Sequence, residues 1–322
     1  MKRLVITGVG GFVGGHLARA AAEAGWSVFG IGRTERAASG IEQALDGYAG
    51  VDLRHEWPAS APVGAAVVHL AGLAAVGASF DRPQQYIADN SAMTTVLCEA
   101  ALHSGGGGRI VAVSSGAVYA ASAGESVRDE SSPVGFSSPY VVSKILVENQ
   151  IAFYRARGLD AVVARPFNHF GPGQGPGFLV PDLARQVTAS APGEPLTVGN
   201  LDTRRDYSDV RDVARAYLAL ADAPALTHSL YNVASGVARS GRDVVDAICA
   251  AMGREIPPLR IDPDRIRPSD PASIRGDASR LRAETGWQPL LAFETSIADA
   301  VVSLDAAGAA WPPSDASALR SA

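Results

Sequence analysis

A glycine-rich turn almost at the start of the chain limits the fold more than any other feature. Residues 3–7 (RLVIT) are an apolar run of strand length. Thr7-Gly8-Val9-Gly10-Gly11-Phe12-Val13-Gly14 follows, and a helical stretch then runs through HLARAAAEAG to Gly25. A strict GxGxxG pattern would need glycine at position 13, where valine stands, so the spacing that fits is Gly8-x-x-Gly11-x-x-Gly14. Between a strand and a helix, such a turn lets backbone N–H groups approach a pyrophosphate at the helix N-terminus, where the dipole favours an anion. Gly8, Gly11, Phe12 and Val13 are therefore expected at a dinucleotide.

The pattern downstream agrees. SVFGIGR (27–33), AAVVHLA (65–71), RIVAVSS (109–115) and AVVARP (161–166) are further apolar runs, and helical stretches lie around 85–103 and 138–157. Strands alternating with helices predict an α/β fold, a Rossmann-like doubly wound parallel sheet with helices on both faces. After Pro166 the segment NHFGPGQGPGF is dense in glycine and proline and reads as a loop. A smaller mixed α/β substrate domain is expected beyond it. The boundaries read as 1–166 plus about 207–236 for the dinucleotide domain, with DVRDVARAYLALAD (209–222) as a helix returning to the sheet. Residues 167–206 and 237–305 form the substrate domain, and 306–322 a frayed tail.

Composition narrows the partners. A net charge of −5 argues against nucleic acid as the main partner, and no apolar stretch is long enough to span a membrane. Cys98 and Cys249 lie in apolar helical stretches without CxxC or Cys/His spacing, which reads as buried reduced thiols in a cytoplasmic protein with no metal site. The basic, apolar N-terminus is explained by its glycine spacing better than by a signal peptide.

Two places report on chemistry. The second strand ends in Gly32-Arg33-Thr34-Glu35-Arg36, with arginine where a site for NAD usually carries an acid for the ribose 2′-hydroxyl. This points to NADP(H), with NAD(H) as the alternative and a solvated Arg33 as the plain reading. Asp52 and Leu53, after the third strand, read as an adenine contact or an ordinary loop. The second place is Tyr140-Val-Val-Ser-Lys144. Of the 28 lysines and arginines, only Lys2 and Lys144 are lysine. Tyrosine and lysine at i and i+4 share a helix face. The pair fits proton transfer from a phenol whose pKa a neighbouring cation lowers.

With these residues in view, the chain resembles the extended short-chain dehydrogenases/reductases to about residue 300. The resemblance rests on TGVGGFVG, HLAG (69–72), Asn90 ahead of the long helix, SSGAVY (114–119), YVVSK (140–144) and RPFN (165–168). It implies Ser115, Tyr140 and Lys144 as the catalytic set. It also implies Leu70, Ala71, Gly72 and Arg165 at the cofactor, with Tyr140 and Lys144 touching it. The C-terminal half is similar to GDP-4-keto-6-deoxy-D-mannose reductases and the related GDP-mannose 4,6-dehydratases. RPFNHFGPGQ, VGNLDTRRDYSDVRDVARAY, YNVASG, RIRPSD and GWQP carry this likeness. It implies a nucleotide-diphosphate sugar, a GDP-sugar above all, with Asn168, Arg205 and Arg267 at the diphosphate and Phe178 and Val180 near the base. It also implies a homodimer, with helices 85–103 and 138–157 paired in a four-helix bundle.

In the expected reaction, reduction of GDP-4-keto-6-deoxy-D-mannose to GDP-D-rhamnose, charge grows on a sugar carbonyl oxygen as hydride arrives. Ser115 and Tyr140 can donate hydrogen bonds to that oxygen, and Tyr140 can deliver the proton. Related dehydratases place an acid just after the catalytic Ser/Thr; here Gly116 and Ala117 stand there, which favours reduction. A 4-epimerase would need the same three residues and is the second reading. A non-catalytic dinucleotide-binding protein is the third. For Arg205 the nearby acids Asp206 and Asp209 are competing partners, as are Asp264 and Asp270 for Arg267. His69 is expected to pack in its strand, His169 to hydrogen-bond in a loop, and Glu125 and Glu130 to be solvated.

Overall fold

The computed structural model describes residues 1–121, 127–266 and 272–307. The apolar runs become strands β1 (Arg3–Thr7), β2 (Ser27–Gly32), β3 (Gly47–Gly50), β4 (Ala66–His69) and β5 (Ile110–Val113). Helix α1 (Phe12–Glu23) follows β1, and α2 (Val76–Asp81) and α3 (Pro83–His103) lie between β4 and β5. The short β6 (Val127–Arg128) precedes α4 (Pro139–Ala156), β7 (Ala161–Pro166) and β8 (Asn168–Phe170). Next come α5 (Leu179–Ala189), β9 (Leu196–Val198), β10 (Arg204–Asp209), α6 (Val210–Asp222) and β11 (Leu230–Val233). The last described elements are β12 (Ala238–Ser240), α7 (Gly241–Ala251), β13 (Leu259–Ile261), β14 (Ser273–Gly276), α8 (Ser279–Thr285) and α9 (Phe293–Ala307).

Seven parallel strands form the main sheet in the order β11-β7-β5-β4-β1-β2-β3. This is a Rossmann-like doubly wound arrangement. Strand order reverses between β1 and β4, where Thr7 registers with His69. In open α/β sheets a crevice forms at the carboxyl ends of the strands at such a reversal. One face of the sheet is covered by α1 and α6, which bury Leu17, Ala21, Val213, Tyr217 and Leu220. The other is covered by α3 and α4, which bury Leu97, Cys98, Val147, Ile151 and Tyr154. Both faces are thus sealed, which is why the strands read as continuous apolar runs. Cys98 and Cys249 are buried and free, and burial pushes the Cys98 thiol up to about 12.

A second sheet, β12-β10-β14-β6 with β8 beside β10, and the small β13-β9 pair come from the C-terminal part, except that β6 is lent by the segment before α4. Their core gathers Phe170, Val180, Leu183, Val244, Ile248 and Ile297 from β8, α5, α7 and α9. Here two local readings are corrected. The segment after Pro166 is not all loop: Asn168–Phe170 pairs in parallel with Tyr207–Asp209, a partner too distant in sequence for local composition to reveal. Asn90 does not precede the long helix but lies inside α3, which begins at Pro83.

Asn232, fully buried on the edge strand β11, ties the two sheets together. Its amide donates to the carbonyls of Arg128 (2.9 Å) and Asp277 (3.1 Å), and its Oδ1 accepts from the Tyr119 hydroxyl at 2.6 Å. Its backbone N–H donates to Glu130 Oε1 at 2.8 Å. Glu130 is therefore not solvated as expected. Its side chain is 4% exposed, facing Arg280 at 3.6 Å. Glu125 and the tail beyond residue 307 lie outside the described residues. Among the described residues no helix is long and apolar enough to cross a membrane.

Replacing Asn232 with alanine removes an acceptor from the buried Tyr119 hydroxyl and a donor from two carbonyls, of which that of Arg128 keeps the Asp277 N–H at 2.8 Å. Asn232→Ala is expected to cost about 2–4 kcal/mol in urea unfolding; a loss under about 0.5 kcal/mol would show that the two sheets do not depend on this amide.

Candidate active site

The glycine turn is built by contact between backbones. Gly8 has φ 68°, a left-handed conformation. A Cβ there would stand 2.9 Å from the Ala71 nitrogen, and one on Gly14 would stand 2.5 Å from the Gly8 carbonyl oxygen. Helix α1 starts at Gly11 with no side-chain cap and no acid in its first turn. Its first N–H groups have no partner within the helix, which suits the pyrophosphate of a dinucleotide. Phe12, at the head of α1, stacks on His169 of β8 with centroids 6.2 Å apart, so the turn also meets the C-terminal part. Val13 behind it is half-buried.

The far wall is Leu70-Ala71-Gly72, and Thr7 holds it. The Thr7 hydroxyl oxygen accepts from the backbone N–H of Leu70 and of Ala71, both at 3.1 Å, and lies 2.8 Å from His69 Nδ1. Burial pulls His69 down to about 3, with the Lys144 charge adding to the effect, so the ring is neutral and serves packing, as expected. A Cβ on Gly72 would lie 3.2 Å from Asn90 Oδ1 and 3.7 Å from Lys144 Nζ. Asn90 is fixed by Leu73 N–H (2.8 Å) and by its own bond to Ser143 Oγ (2.9 Å). The wall thus leads directly to α4.

Ser138 caps α4 by accepting from the Val141 N–H, and Pro139 occupies its first turn. Both features set the helix start so that Tyr140 and Lys144 face inward, and both are buried. Lys144 Nζ lies 5.9 Å from the centre of the Tyr140 ring and donates to the Val113 carbonyl at 2.8 Å. Two residues on, Ser115 accepts from the Ala117 N–H at 3.1 Å and lies beside Tyr140, close enough to draw its pKa down. Serine, phenol and ammonium therefore converge at the end of β5. The expected lowering of the phenol is not what the structure shows. Burial raises the Tyr140 pKa, and Ser115 only partly draws it back. Burial also brings Lys144 down to about 8, with the Glu148 carboxylate opposing the shift.

The remaining predicted residues divide. Arg33 stands exposed at the end of β2 and makes no ion pair among the described residues, a geometry open to a ribose phosphate. The Asp52 carboxylate is gripped by Arg54, with Nε at 2.9 and 3.0 Å, and Leu53 is a core side chain. Asn168 is exposed on β8. It registers with Tyr207, two residues beyond Arg205, so Asn168 and Arg205 share a face. Asp206 is occupied by Ser235, Gly236 and Gly276, and Asp209 by Arg211. Phe178 is half-exposed before α5.

Two assignments are corrected. Val180 is 2% exposed in the C-terminal core, so its side chain is unavailable to a base; apolar periodicity along α5 decides its direction. Arg165 is buried and gives Nε (2.8 Å) and Nη2 (2.6 Å) to Glu148, with its guanidinium 4.8 Å over the Tyr119 ring. Two of its nitrogens are held in this ion pair, while Nη1 is buried without a hydrogen-bond partner. Arg267 lies outside the described residues.

Thr7, Asn90 and Phe167 stand in the motifs that carry the resemblance, but the sequence assigns them no role of their own. The first two are polar residues at positions the patterns bury, which is the signal that marks them. The Phe167 ring backs Gly116: a Cβ on that glycine would meet three ring atoms at 3.1–3.2 Å. Nothing local in the sequence announces that contact.

Several known proteins are similar to this chain along nearly its whole length. Residues 4–234 match the model of the NAD dependent epimerase/dehydratase family. The chain is 33% identical to the GDP-6-deoxy-D-mannose reductase of Pseudomonas aeruginosa, over 92% of this chain and 95% of that one. Among solved structures, RMD from Pseudomonas aeruginosa complexed with NADPH matches with a TM-score of 0.81 and 30% identity, covering 95% and 99% of the two chains. The UDP-glucose 4-epimerase of Thermus thermophilus, complexed with NAD, matches with a TM-score of 0.82 and 27% identity, covering 95% and 99%.

Lys144 carries its charge below about pH 8 and loses it above. If that ammonium helps to hold the dinucleotide ribose, NADPH affinity of the free protein is steady from pH 6 to 7 and falls as pH rises through 8, and fluorescence titration across that range is the check.

Proposed function

This chain belongs to the NAD dependent epimerase/dehydratase family, and from that premise we propose that it uses NADPH to reduce the C4 carbonyl of a nucleotide-diphosphate 4-keto-6-deoxy sugar. The specific reaction we infer is GDP-4-keto-6-deoxy-D-mannose to GDP-D-rhamnose. That it is an NAD(P)-dependent oxidoreductase of nucleotide sugars follows from the family and its relatives. The substrate and the direction of the chemistry are the proposal.

The observation that carries it is the contact between Gly116 and Phe167. A dehydratase of this family needs a proton donor for the leaving hydroxyl beside the catalytic serine. At Gly116 even a Cβ would crowd the Phe167 ring at 3.1–3.2 Å, and at Ala117 the side chain holds no proton to give. Among the described residues, what remains beside Ser115 and Tyr140 is enough for one carbonyl and one proton. The exposed Arg33 supports NADPH, and the likeness to a GDP-6-deoxy-D-mannose reductase supports the sugar.

When bound, NADPH supplies the hydride. Gly8, Gly11 and the open first turn of α1 would hold its pyrophosphate, and Lys144 its ribose. Ser115 and Tyr140 orient the sugar carbonyl by donating to its oxygen, and Tyr140 transfers its hydroxyl proton there as negative charge develops. The raised phenol pKa keeps that proton in place until the oxygen becomes basic. Asn168 and Arg205, which share a face, would hold the diphosphate, where guanidinium geometry suits paired oxygens. The same reading makes the chain a homodimer through α3 and α4, whose outer surface includes the exposed Phe153.

Incubation with NADPH and a panel of 4-keto-6-deoxy nucleotide sugars, followed by NADPH absorbance, tests the reading. Oxidation is expected with the GDP-linked 4-keto-6-deoxymannose. Tyr140→Phe is expected to lower the rate by about 10²–10⁴-fold. Interconversion of a UDP-hexose pair without net NADPH loss would instead establish the epimerase reading, which the likeness to a UDP-glucose 4-epimerase favours. Equal, near-zero rates in both proteins would leave only a dinucleotide binder.

Cofactor choice has its own check. Arg33→Asp replaces a phosphate partner with a 2′-hydroxyl acceptor and is expected to move preference from NADPH toward NADH. An unchanged ratio of kcat/KM values would remove Arg33 from the cofactor site.

A further inference from the structure

We propose that Glu148 is a positioning residue of the active site, holding Lys144 charged and locking α4 to the end of β5. The inference rests on the reading of Lys144 as the ribose-holding ammonium.

Tyr140, Lys144 and Glu148 fall at i, i+4 and i+8 of α4, one stripe along one helix face. Three consecutive residues at the end of β5 meet that stripe. The Val113 carbonyl accepts from Lys144 Nζ at 2.8 Å. Ser114 Oγ donates to Glu148 Oε1 at 2.5 Å. Ser115 lies beside Tyr140, close enough to draw its pKa down. Strand end and helix thus meet at each of three turns, with hydrogen bonds at two of them, and Glu148 supplies the innermost join. Its carboxylate is further fixed by the two-pronged bond from Arg165, which the Tyr119 ring covers on its other side. A carboxylate with this many donors cannot swing away, so its charge stays one helical turn from the Lys144 ammonium.

The charged and titratable groups facing Lys144 are few. On its own helix they are Tyr140 and Glu148. From β4 there is His69, which burial keeps neutral. From α3 the neighbour is the uncharged Asn90, across Gly72. Among the described residues, Glu148 is thus the anion whose field opposes the discharge that burial imposes on this ammonium. The Arg165 pair anchors that anion without reaching Lys144.

The chain's two lysines make the test direct. Lysine labelled with ¹³C at the ε-carbon gives signals from Lys2 and Lys144 alone. Their titration reads proton occupancy at Lys144 with Lys2 as internal control. Glu148→Gln keeps the shape and removes the charge. The Lys144 midpoint is expected to drop by at least about half a unit, a threefold change in proton affinity, while Lys2 stays fixed. NADPH affinity is expected to fall severalfold at pH 8 and little at pH 6.

Because Glu148→Gln leaves Arg165 buried without its partner, the double variant Glu148→Gln/Arg165→Met carries the same test if the single one does not fold. An unmoved Lys144 midpoint overturns the proposal. So does a moved midpoint with unchanged NADPH affinity at pH 8, which reduces Glu148 to a structural ion pair. Failure of the sugar assignment would appear only as absent turnover and would leave the lysine titration untouched.

Discussion

The site depends on a place where three pieces of backbone meet with no side chain between them. Gly8 touches the Leu70–Ala71 backbone, Gly14 touches Gly8, and the Thr7 hydroxyl ties the loop after β4 to the end of β1. These contacts fix the distance between the open N-terminus of α1 and the carboxyl ends of β4 and β5. A side chain at either glycine would spread that distance. The sheet reversal between β1 and β4 would still exist, but the crevice would no longer have a floor close enough for N–H groups to meet phosphate oxygens. The topology supplies the place, and the glycines supply the fit.

On that floor the catalytic groups are set against their own desolvation. Burial raises the Tyr140 phenol and lowers the Lys144 ammonium, so each is pushed toward its neutral form. A neutral phenol is useful, because the reaction needs a proton to give. A neutral amine is not, because in the proposed mechanism the ribose and the developing charge call for a cation. The two shifts therefore call for opposite treatment. Tyr140 is left with a hydroxyl partner, Ser115, whereas Lys144 has a carbonyl on one side and a fixed carboxylate one turn away. The asymmetry fits the proposed division of labour between a proton donor and a cation.

Much of this was legible in the sequence because it is local. The glycine turn, the parallel strands, the helix carrying Tyr140 and Lys144, and Ser115 at a strand end all follow from short-range spacing. The errors lie where a distant partner decides. Arg165 looked like a cofactor ligand until Glu148, from another element, was seen to hold it. Glu130 looked solvated because its loop is polar, yet Asn232 and Arg280 enclose it. Val180 sits near a substrate motif, but the core between α5, α7 and α9 claims its side chain. Asn168–Phe170 read as loop because its composition gives no sign of β10 waiting beside it. In each case the sequence shows the residue type and the fold chooses its neighbour.

The scarcity of lysine then acquires a physical reason. Arginine stands at nearly every basic position, including the ion pairs with Glu148, Asp52 and Asp209. There a planar fork meets a carboxylate, and arginine is the better partner. At position 144 no such partner is in front of the charge. The ammonium faces the Val113 carbonyl, the bare Cα of Gly72 and the side of a phenol ring. A guanidinium there would bring five donors and a wide plane into a buried space that answers one of them. Its charge could not be tuned to neighbouring groups, because it does not titrate in the working range. A single compact charge that burial can adjust and Glu148 can hold is what this position accommodates, and among the basic side chains only lysine provides it.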